Sequence, residues 1–441
     1  METGMNTQST RLDPPVKPGD QTNEERIIIH GGKPLNGSVV IGGAKNAVLK
    51  MMAAALLTKG VSVLRNVPHL TDVYTMGEVI KHLGAKMNFA NNELEIDARE
   101  VHDIEAPYEL VSQLRASFVV LGPLLSRFGQ AKVSLPGGCA IGERRIDLHE
   151  RGLKLMGADV RIEHGYVYAS AKNLIGSRIY LDRPSNGATE NIMMAAVLAE
   201  GQTIIENAAQ DPEIANLADF INAMGGKIQG AGTYQIIIDG VKPEEMHGAV
   251  FDTIPDRLEA GTFMLAALCT MGEVTVEKVN PHHLYSLISK MTEMGAEVSI
   301  YAPKTIKVRC HQRPIATDVT TLPYPAFPTD LQAPIMAALV TSEGTSIVTE
   351  TIYENRFMQA GELRRMGADI SLKGNVAVVK GVPHLSGAEV KSSDLRAAAA
   401  LVIAGLGAEG ITEVSQLRHL DRGYEHLEDK FKALGANIWR R

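Results

Sequence analysis

Apolar and polar positions repeat along this chain in one recurring alternation. Stretches such as TMGEVIKHLGA and LISKMTEMGA place apolar residues three and four apart, the spacing of a single helix face. They close on a short phrase that returns six times: LGAKM at 83–87, MGADV at 156–160, MGGKI at 224–228, MGAEV at 294–298, MGADI at 366–370 and LGANI at 434–438. The first glycines of these phrases lie 73, 68, 70, 72 and 68 residues apart. Most of the phrases run on into alternating residues such as VRIEHGYVYA, so the pattern predicts a helix, a glycine C-cap and then a strand.

A second phrase alternates with the first. KGVSVLRNV, EGQTIIENA, MGEVTVEKV, EGTSIVTET and EGITEVSQL each follow an Ala-, Leu- or Met-rich helix, and GQAKVSLPG from Gly129 is a divergent sixth member. The repeating unit is two helices and several strands in about 70 residues, and six units account for the chain from about residue 26 onward. The Ala/Leu/Met helices are apolar almost all round, as an enclosed helix must be, while the strands alternate and should face solvent on one side. The expected fold class is therefore α/β with helices inside and sheets outside. Grouping six units in threes makes two similar domains, with a cleft between them as the natural ligand site.

Composition narrows the class without changing this picture. A chain of 441 residues exceeds one ordinary core, and 45% apolar with 22% charged residues is the balance of a soluble globular protein. No run of 18 apolar residues occurs, so no membrane span is predicted. The first 25 residues are polar, contain prolines and lack an apolar h-region, and read as a disordered tail rather than a secretory signal. Three cysteines without a CxxC pair argue against a disulfide framework or a zinc knuckle, and a reducing cytoplasm is the simplest compartment. A net charge of −7 disfavours nucleic acid as a partner. No metal, organic cofactor or protein partner is implied.

Local charge is more informative. Lys45, Arg115, Arg144, Arg145, Arg356, Arg396 and Arg422 mostly fall near a glycine, a turn signal or a helix start, which suggests a small anionic ligand. GGAKNA at 42–47 joins a strand to a helix, where glycines admit an anion and Lys45 supplies a point charge. SNGATENIMMAAVLAEG opens a helix whose free N–H groups suit a diphosphate, although Ser185 as an ordinary N-cap explains the stretch equally well. Asp330 in PAFPTDLQAP reads either as a helix N-cap or as a carboxylate that takes a proton from a hydroxyl. Asp394 is a reasonable N-cap for the helix containing Arg396. Cys139 lies in SLPGGCAIGERRIDLH, where Pro-Gly-Gly disfavours regular structure and Arg144 and Arg145 are near enough in sequence to favour a thiolate. Cys269 reads as core, and Cys310 beside His311 is poor support for a metal site.

GGAKNA, the block from LRASFVV to RRIDLH, PAFPTD, ETIYENRF, SSDLRA and DRGYEHLEDK together resemble the UDP-N-acetylglucosamine 1-carboxyvinyltransferase family, from about residue 26 to 441. The resemblance implies a two-domain inside-out α/β barrel, with residues 26–43 plus 254–441 as one domain and 44–253, carrying the cysteine loop, as the other. It implies phosphoenolpyruvate and UDP-N-acetylglucosamine as substrates, with addition followed by elimination of phosphate. Lys45, Arg115, Arg144 and Arg422 would hold the phosphate and carboxylate of phosphoenolpyruvate, and Asp330 would accept the sugar hydroxyl proton. Cys139 matches the family's loop cysteine, which is implicated in proton delivery, covalent capture and product release. Asn46 and Ile352 would meet the sugar side, Arg144, Arg145, Ile146, Asp147 and Leu148 the uridine, and Arg183, Ser185, Asn186 and Gly187 the diphosphate; Arg356, Asp394 and Arg396 complete the substrate set. Family members often carry lysine and valine where this chain has Arg183 and Asn186. Two alternatives are the shikimate-pathway enzyme of the same fold and a non-enzymatic repeat scaffold. A thiol redox enzyme lacks a resolving cysteine near Cys139.

Overall fold

The computed structural model of the protein describes residues 25–136, 141–142 and 145–441. Of the expected N-terminal tail only Glu25 falls among these, and Arg440 donates to its carboxylate at 3.2 Å.

The six recurring phrases become six helix ends of one kind. Gly84, Gly157, Gly225, Gly295, Gly367 and Gly435 follow the C-caps of their helices, and all adopt positive φ between 88° and 103°. A left-handed residue there turns the chain out of the helix and lets the next N–H groups reach back, as when Ala85 N–H bonds the Ile80 carbonyl at 3.2 Å. A side chain would strain that conformation, which is why glycine recurs at this spacing.

Among the described residues six four-stranded sheets follow, all with the same pairing. In one of them Arg178–Tyr180 runs parallel to Gln202–Glu206, which is antiparallel to Gln235–Asp239, which is antiparallel to Lys227–Gln229. The second recurring phrase always supplies the inner strand with a parallel neighbour: Val61–Arg65, Gln130–Ser134, Gln202–Glu206, Glu273–Glu277, Thr345–Thr349 and Ile411–Ser415. Their alternating burial puts one face of each sheet inward and one toward solvent.

The Ala/Leu/Met-rich helices lie inside. All thirteen residues of Arg257–Cys269 and all eight of Gln332–Leu339 are buried, and both helices pack with Leu395–Gly407. Among the described residues two separate hydrophobic cores result. One draws on residues 44–246 and the other on 27–41 together with 258–438. Three sheets surround each core. The second lobe recruits Ile27–His30 between Ile411–Ser415 and Asn437–Arg440, and Asn36–Val40 beside Glu273–Glu277.

The chain crosses between lobes twice, and the two crossings lie side by side. Gly43 bridges Pro255, Ala44 N–H bonds the Ile254 carbonyl at 2.7 Å, and Asp256 N–H bonds the Gly42 carbonyl at 2.9 Å. A Cβ on Gly43 would stand 1.7 Å from the Asn66 carbonyl oxygen, so only glycine allows this close approach. Cys269 and Cys310 are both free and buried, which suits the core reading of Cys269.

Candidate active site

Helix Lys45–Ala54 begins directly after the first crossing, which sets Lys45 on the face turned toward the other lobe. Its ammonium meets Asp72 Oδ2 at 2.9 Å, and the other carboxylate oxygen, Oδ1, takes Arg422 Nε at 2.8 Å from the opposite lobe. Burial by itself would raise the Asp72 carboxyl, but Lys45 and Arg422 outweigh it and hold the group below the usual carboxylate range. Burial pushes Lys45 down, opposed by Asp72 and assisted by Arg396 and Arg422. Two more bonds join the lobes here, His69 N–H to Glu425 Oε1 at 3.0 Å and Thr71 N–H to the Asp421 carbonyl at 3.1 Å. Asp72 was not among the sequence candidates. In the first turn of an amphipathic helix it looks like an ordinary dipole partner.

Asp330 forms a second charged centre. It sits in the 3-10 turn Thr329–Leu331 and does not cap the helix Gln332–Leu339 that follows, so the N-cap reading of this residue is set aside. Arg356 Nη2 donates to Oδ1 at 2.7 Å and Arg396 Nη2 to Oδ2 at 3.0 Å. Both arginines are about 4% exposed. Burial pushes the Asp330 carboxyl up, yet Arg396 and Arg356 together carry it far below the usual range. Glu350, another residue sequence reasoning missed, organises the adjoining loops. Its Oε1 accepts from Ile352 N–H at 2.8 Å and Thr321 at 2.8 Å, and its Oε2 accepts from Thr329 at 2.8 Å. Ile352 is thereby tied to the turn holding Asp330.

Ser185 and Asp394 both act as N-caps. Ser185 accepts from Ala188 N–H at 3.4 Å, and Asp394 from Arg396 and Ala397 N–H at 2.9 and 3.1 Å. Asp394 thus sets the start of Leu395–Gly407 and with it the position of Arg396. Asn46 and Gly187 lie in the first turns of Lys45–Ala54 and Asn186–Ala196. Asn186 lies close enough to the Asp211 carboxylate to stabilise its charge, and Arg257 of the other lobe reaches that carboxylate at 2.8 Å and Glu213 at 3.1 Å. Arg183 and Asp147 pair at 2.6 Å on a more exposed surface beside Arg145 and Ile146.

Leu148 is buried, and so is its neighbour His149, a further residue the sequence did not single out. Asn191 Oδ1 accepts from Gly122 N–H at 2.6 Å, which turns the Asn191 amide nitrogen toward His149 Nδ1 at 3.0 Å. His149 Nδ1 therefore accepts and its proton is on Nε2, which with Cε1 forms the edge of the ring beside Gly187. Burial, then the charge of Arg115, pushes this imidazole down to about 4. An imidazole that protonates less readily when folded stabilises the fold above its unfolded value of about 6.5 and loses that contribution as pH falls toward 4. We expect urea midpoints to decline between those two values and His149→Gln to flatten the decline.

Cys139 and Arg144 lie outside the described residues. At the nearest described point, Ile141 accepts a hydrogen bond from Asn355 N–H of the other lobe at 3.0 Å, one residue before Arg356. The site thus collects Lys45, Asp72, Arg422, Arg396, Asp330 and Arg356 from both lobes in one charged run, since Arg396 acts on Lys45 as well as on Asp330.

A model of the EPSP synthase (3-phosphoshikimate 1-carboxyvinyltransferase) family matches residues 29–431. UDP-N-acetylglucosamine 1-carboxyvinyltransferase 2 of Carboxydothermus hydrogenoformans is 56% identical over 417 residues, 94% of this chain and 99% of that protein. UDP-N-acetylglucosamine 1-carboxyvinyltransferase 1 of Caldanaerobacter subterraneus subsp. tengcongensis is 53% identical over 94% of this chain and 99% of its own length. Among solved structures, the enolpyruvyl transferase NikO from Streptomyces tendae superposes with a TM-score of 0.85 at 25% identity, covering 95% of this chain and 99% of that one. EPSP synthase from Acinetobacter baumannii shares the fold with a TM-score of 0.71 at 18% identity, over 95% of this chain and 100% of that one.

Proposed function

The chain belongs to the UDP-N-acetylglucosamine 1-carboxyvinyltransferases, within the EPSP synthase family, and from that membership we infer its reaction. It transfers the enolpyruvyl group of phosphoenolpyruvate to the 3-hydroxyl of UDP-N-acetylglucosamine and releases phosphate, the first committed step of peptidoglycan synthesis. The observation that best supports this reading is Asp330 held between Arg356 and Arg396, within the electrostatic reach that Arg396 extends to Lys45.

In the addition step the sugar 3-hydroxyl attacks C2 of phosphoenolpyruvate. Its proton passes to the Asp330 carboxylate while the double-bond pair takes a proton at the methylene carbon. In the elimination step the methyl group so formed gives up a proton, its C–H pair re-forms the double bond, and phosphate leaves with the electron pair of the C–O bond. Asp330 starts ionised at any working pH, but two guanidinium groups make it a weak base. A substrate carboxylate arriving at Arg356 or Arg396 competes for the same donors and returns basicity to Asp330 when the hydroxyl is in place. Lys45 and Arg422 receive the phosphate, with Arg115 and Arg144 assisting. Cys139 handles the methylene proton. His149 Nε2, Arg183, Ser185, Asn186 and Gly187 line the diphosphate side, with Arg145, Ile146, Asp147 and Leu148 beside the uridine, and Asn46 and Ile352 beside the sugar.

The two hydrophobic cores support a division into 26–43 plus 254–441 and 44–253. Cations of the two lobes do not simply repel across the cleft, because Asp72 stands between Lys45 and Arg422. Substrate anions therefore take over a bridge that the protein already makes with its own carboxylate. We place the enzyme in the cytoplasm, where both anionic substrates are available. Among the described residues no helix is long and apolar enough to cross a membrane.

Incubation with phosphoenolpyruvate and UDP-N-acetylglucosamine should yield the enolpyruvyl ether, identified by mass, with one phosphate released per product. Phosphate release with shikimate 3-phosphate as acceptor, and none with the nucleotide sugar, would refute the assignment. An epoxide phosphonate of the fosfomycin type should alkylate Cys139 alone. Burial pushes the Cys269 thiol up to about 12 and raises Cys310 as well, so neither supplies thiolate to the reagent. Peptide mass mapping locates the adduct.

A further inference from the structure

Tyr424 belongs to the DRGYE stretch, whose Asp421, Arg422 and Glu425 bond across to the other lobe. Its side chain is 3% exposed and its hydroxyl lies 2.7 Å from that of Thr262, which is fully buried. Thr262 is in the helix Arg257–Cys269, and its hydroxyl donates to the Leu258 carbonyl one turn back at 2.9 Å. A hydroxyl has one proton, so Thr262 has none left for Tyr424. The short contact between them requires the phenol to donate. The lone pairs of the phenol oxygen then face Arg396, whose Nη1 approaches at 3.3 Å while its Nη2 holds Asp330 at 3.0 Å. The donor sequence has one direction: Arg396 to Tyr424, Tyr424 to Thr262, Thr262 to the helix backbone.

We propose that Tyr424 and Thr262 are positioning residues that hold the Arg396 guanidinium in register with the Asp330 carboxylate. The proposal rests on the reading of Asp330 and Arg396 given above. Arg396 is otherwise surrounded by charge that pulls in several directions: Asp330 ahead of it, Asp256 at longer range, and Lys45 repelling it. Asp330 in turn faces Arg356 and, farther off, Arg257. Without a fixed acceptor behind it, a buried guanidinium N–H would be left unpaired, and Arg396 would turn to satisfy it at the expense of its contact with Asp330. Phenylalanine keeps the packing of Tyr424 and removes the hydroxyl, which is both the acceptor for Arg396 and the donor to Thr262.

The test is steady-state kinetics on Tyr424→Phe, Thr262→Ser and Thr262→Val, with Arg396→Ala and the Tyr424→Phe/Arg396→Ala double variant. Tyr424→Phe should lower kcat roughly tenfold, the loss that follows from one buried hydrogen bond to a charged group. It should raise KM for phosphoenolpyruvate more than KM for the nucleotide sugar, because the residues given to the diphosphate and uridine lie on the other lobe. Thr262→Ser retains the acceptor and should restore wild-type behaviour, whereas Thr262→Val should move toward Tyr424→Phe. In the Arg396→Ala background Tyr424→Phe should cost little more, since the residue it acts through is gone. If the two losses instead multiply, or if Tyr424→Phe lowers thermal stability with kcat unchanged, the positioning role is refuted. Should Tyr424→Phe fold poorly, the Thr262 pair decides by the same split. Turnover by Asp330→Asn at the wild-type rate would instead overturn the underlying reading of the site.

Discussion

Asp330→Asn is expected to lower kcat by about 10³-fold, within the range that a positioned general base supplies. The amide keeps the shape of the side chain and an acceptor oxygen, so binding of the nucleotide sugar should survive and be measurable by calorimetry. A second effect follows from what surrounds the residue. Arg356 and Arg396 are nearly inaccessible to water and lose their common anion. Breaking a buried pair from one side costs about 3 kcal/mol or more, because the remaining charge is left without compensation. The variant should therefore melt earlier than the wild type, and phosphoenolpyruvate should recover much of the difference by lending its carboxylate to the two arginines. Turnover within threefold of the wild type, or a melting temperature indifferent to phosphoenolpyruvate, would remove Asp330 from the mechanism.

Asp72→Asn should act on the joint between the lobes. The wild-type carboxylate accepts from Lys45 with one oxygen and from Arg422 with the other, and it is only 3% exposed. Neutralising it sets two cations of opposite lobes against each other and leaves the bonds of Thr71 N–H to the Asp421 carbonyl and His69 N–H to Glu425 to hold this edge. Small-angle scattering should report a more open unliganded form, and stability should drop by about 3 kcal/mol. Inorganic phosphate should then raise the melting temperature of the variant more than that of the wild type, since an external anion fills the place of the lost one. Turnover should fall about 10²-fold through poorer placement of Lys45 and Arg422. Identical scattering, together with an unchanged response to phosphate, would show that Asp72 is not a bridge.

Both residues show how far the sequence could be followed. Asp330 is legible because proline and turn signals crowd around it and because its motif matches a family. Asp72 is hidden, since an acidic residue in the first turn of an amphipathic helix needs no special explanation. Its partner Arg422 is 350 residues away. Tyr424, Thr262 and Glu350 are hidden for a related reason. Each acts through hydrogen bonds whose partners are known only when the neighbouring donors and acceptors have been placed. His149 sits beside residues that the motif did point to, yet its tautomer depends on an asparagine 42 residues further on. Ser185 and Asp394 were legible as caps, because capping is a contact with the chain's own next turn.

By itself the sequence determined the repeating unit, the glycine at each of six helix ends, the buried helices and the half-exposed strands. All of these follow from local periodicity and from backbone conformations that few residue types allow. Only the tertiary structure decided that the chain crosses between lobes side by side at Gly43 and Pro255, and that Asp72 spans the gap which charge alone would widen. It also decided that Asp330 is clamped rather than free. Those outcomes depend on which charges are brought out of water together, and the pairing of buried charges is a property of distances that no short stretch of sequence contains.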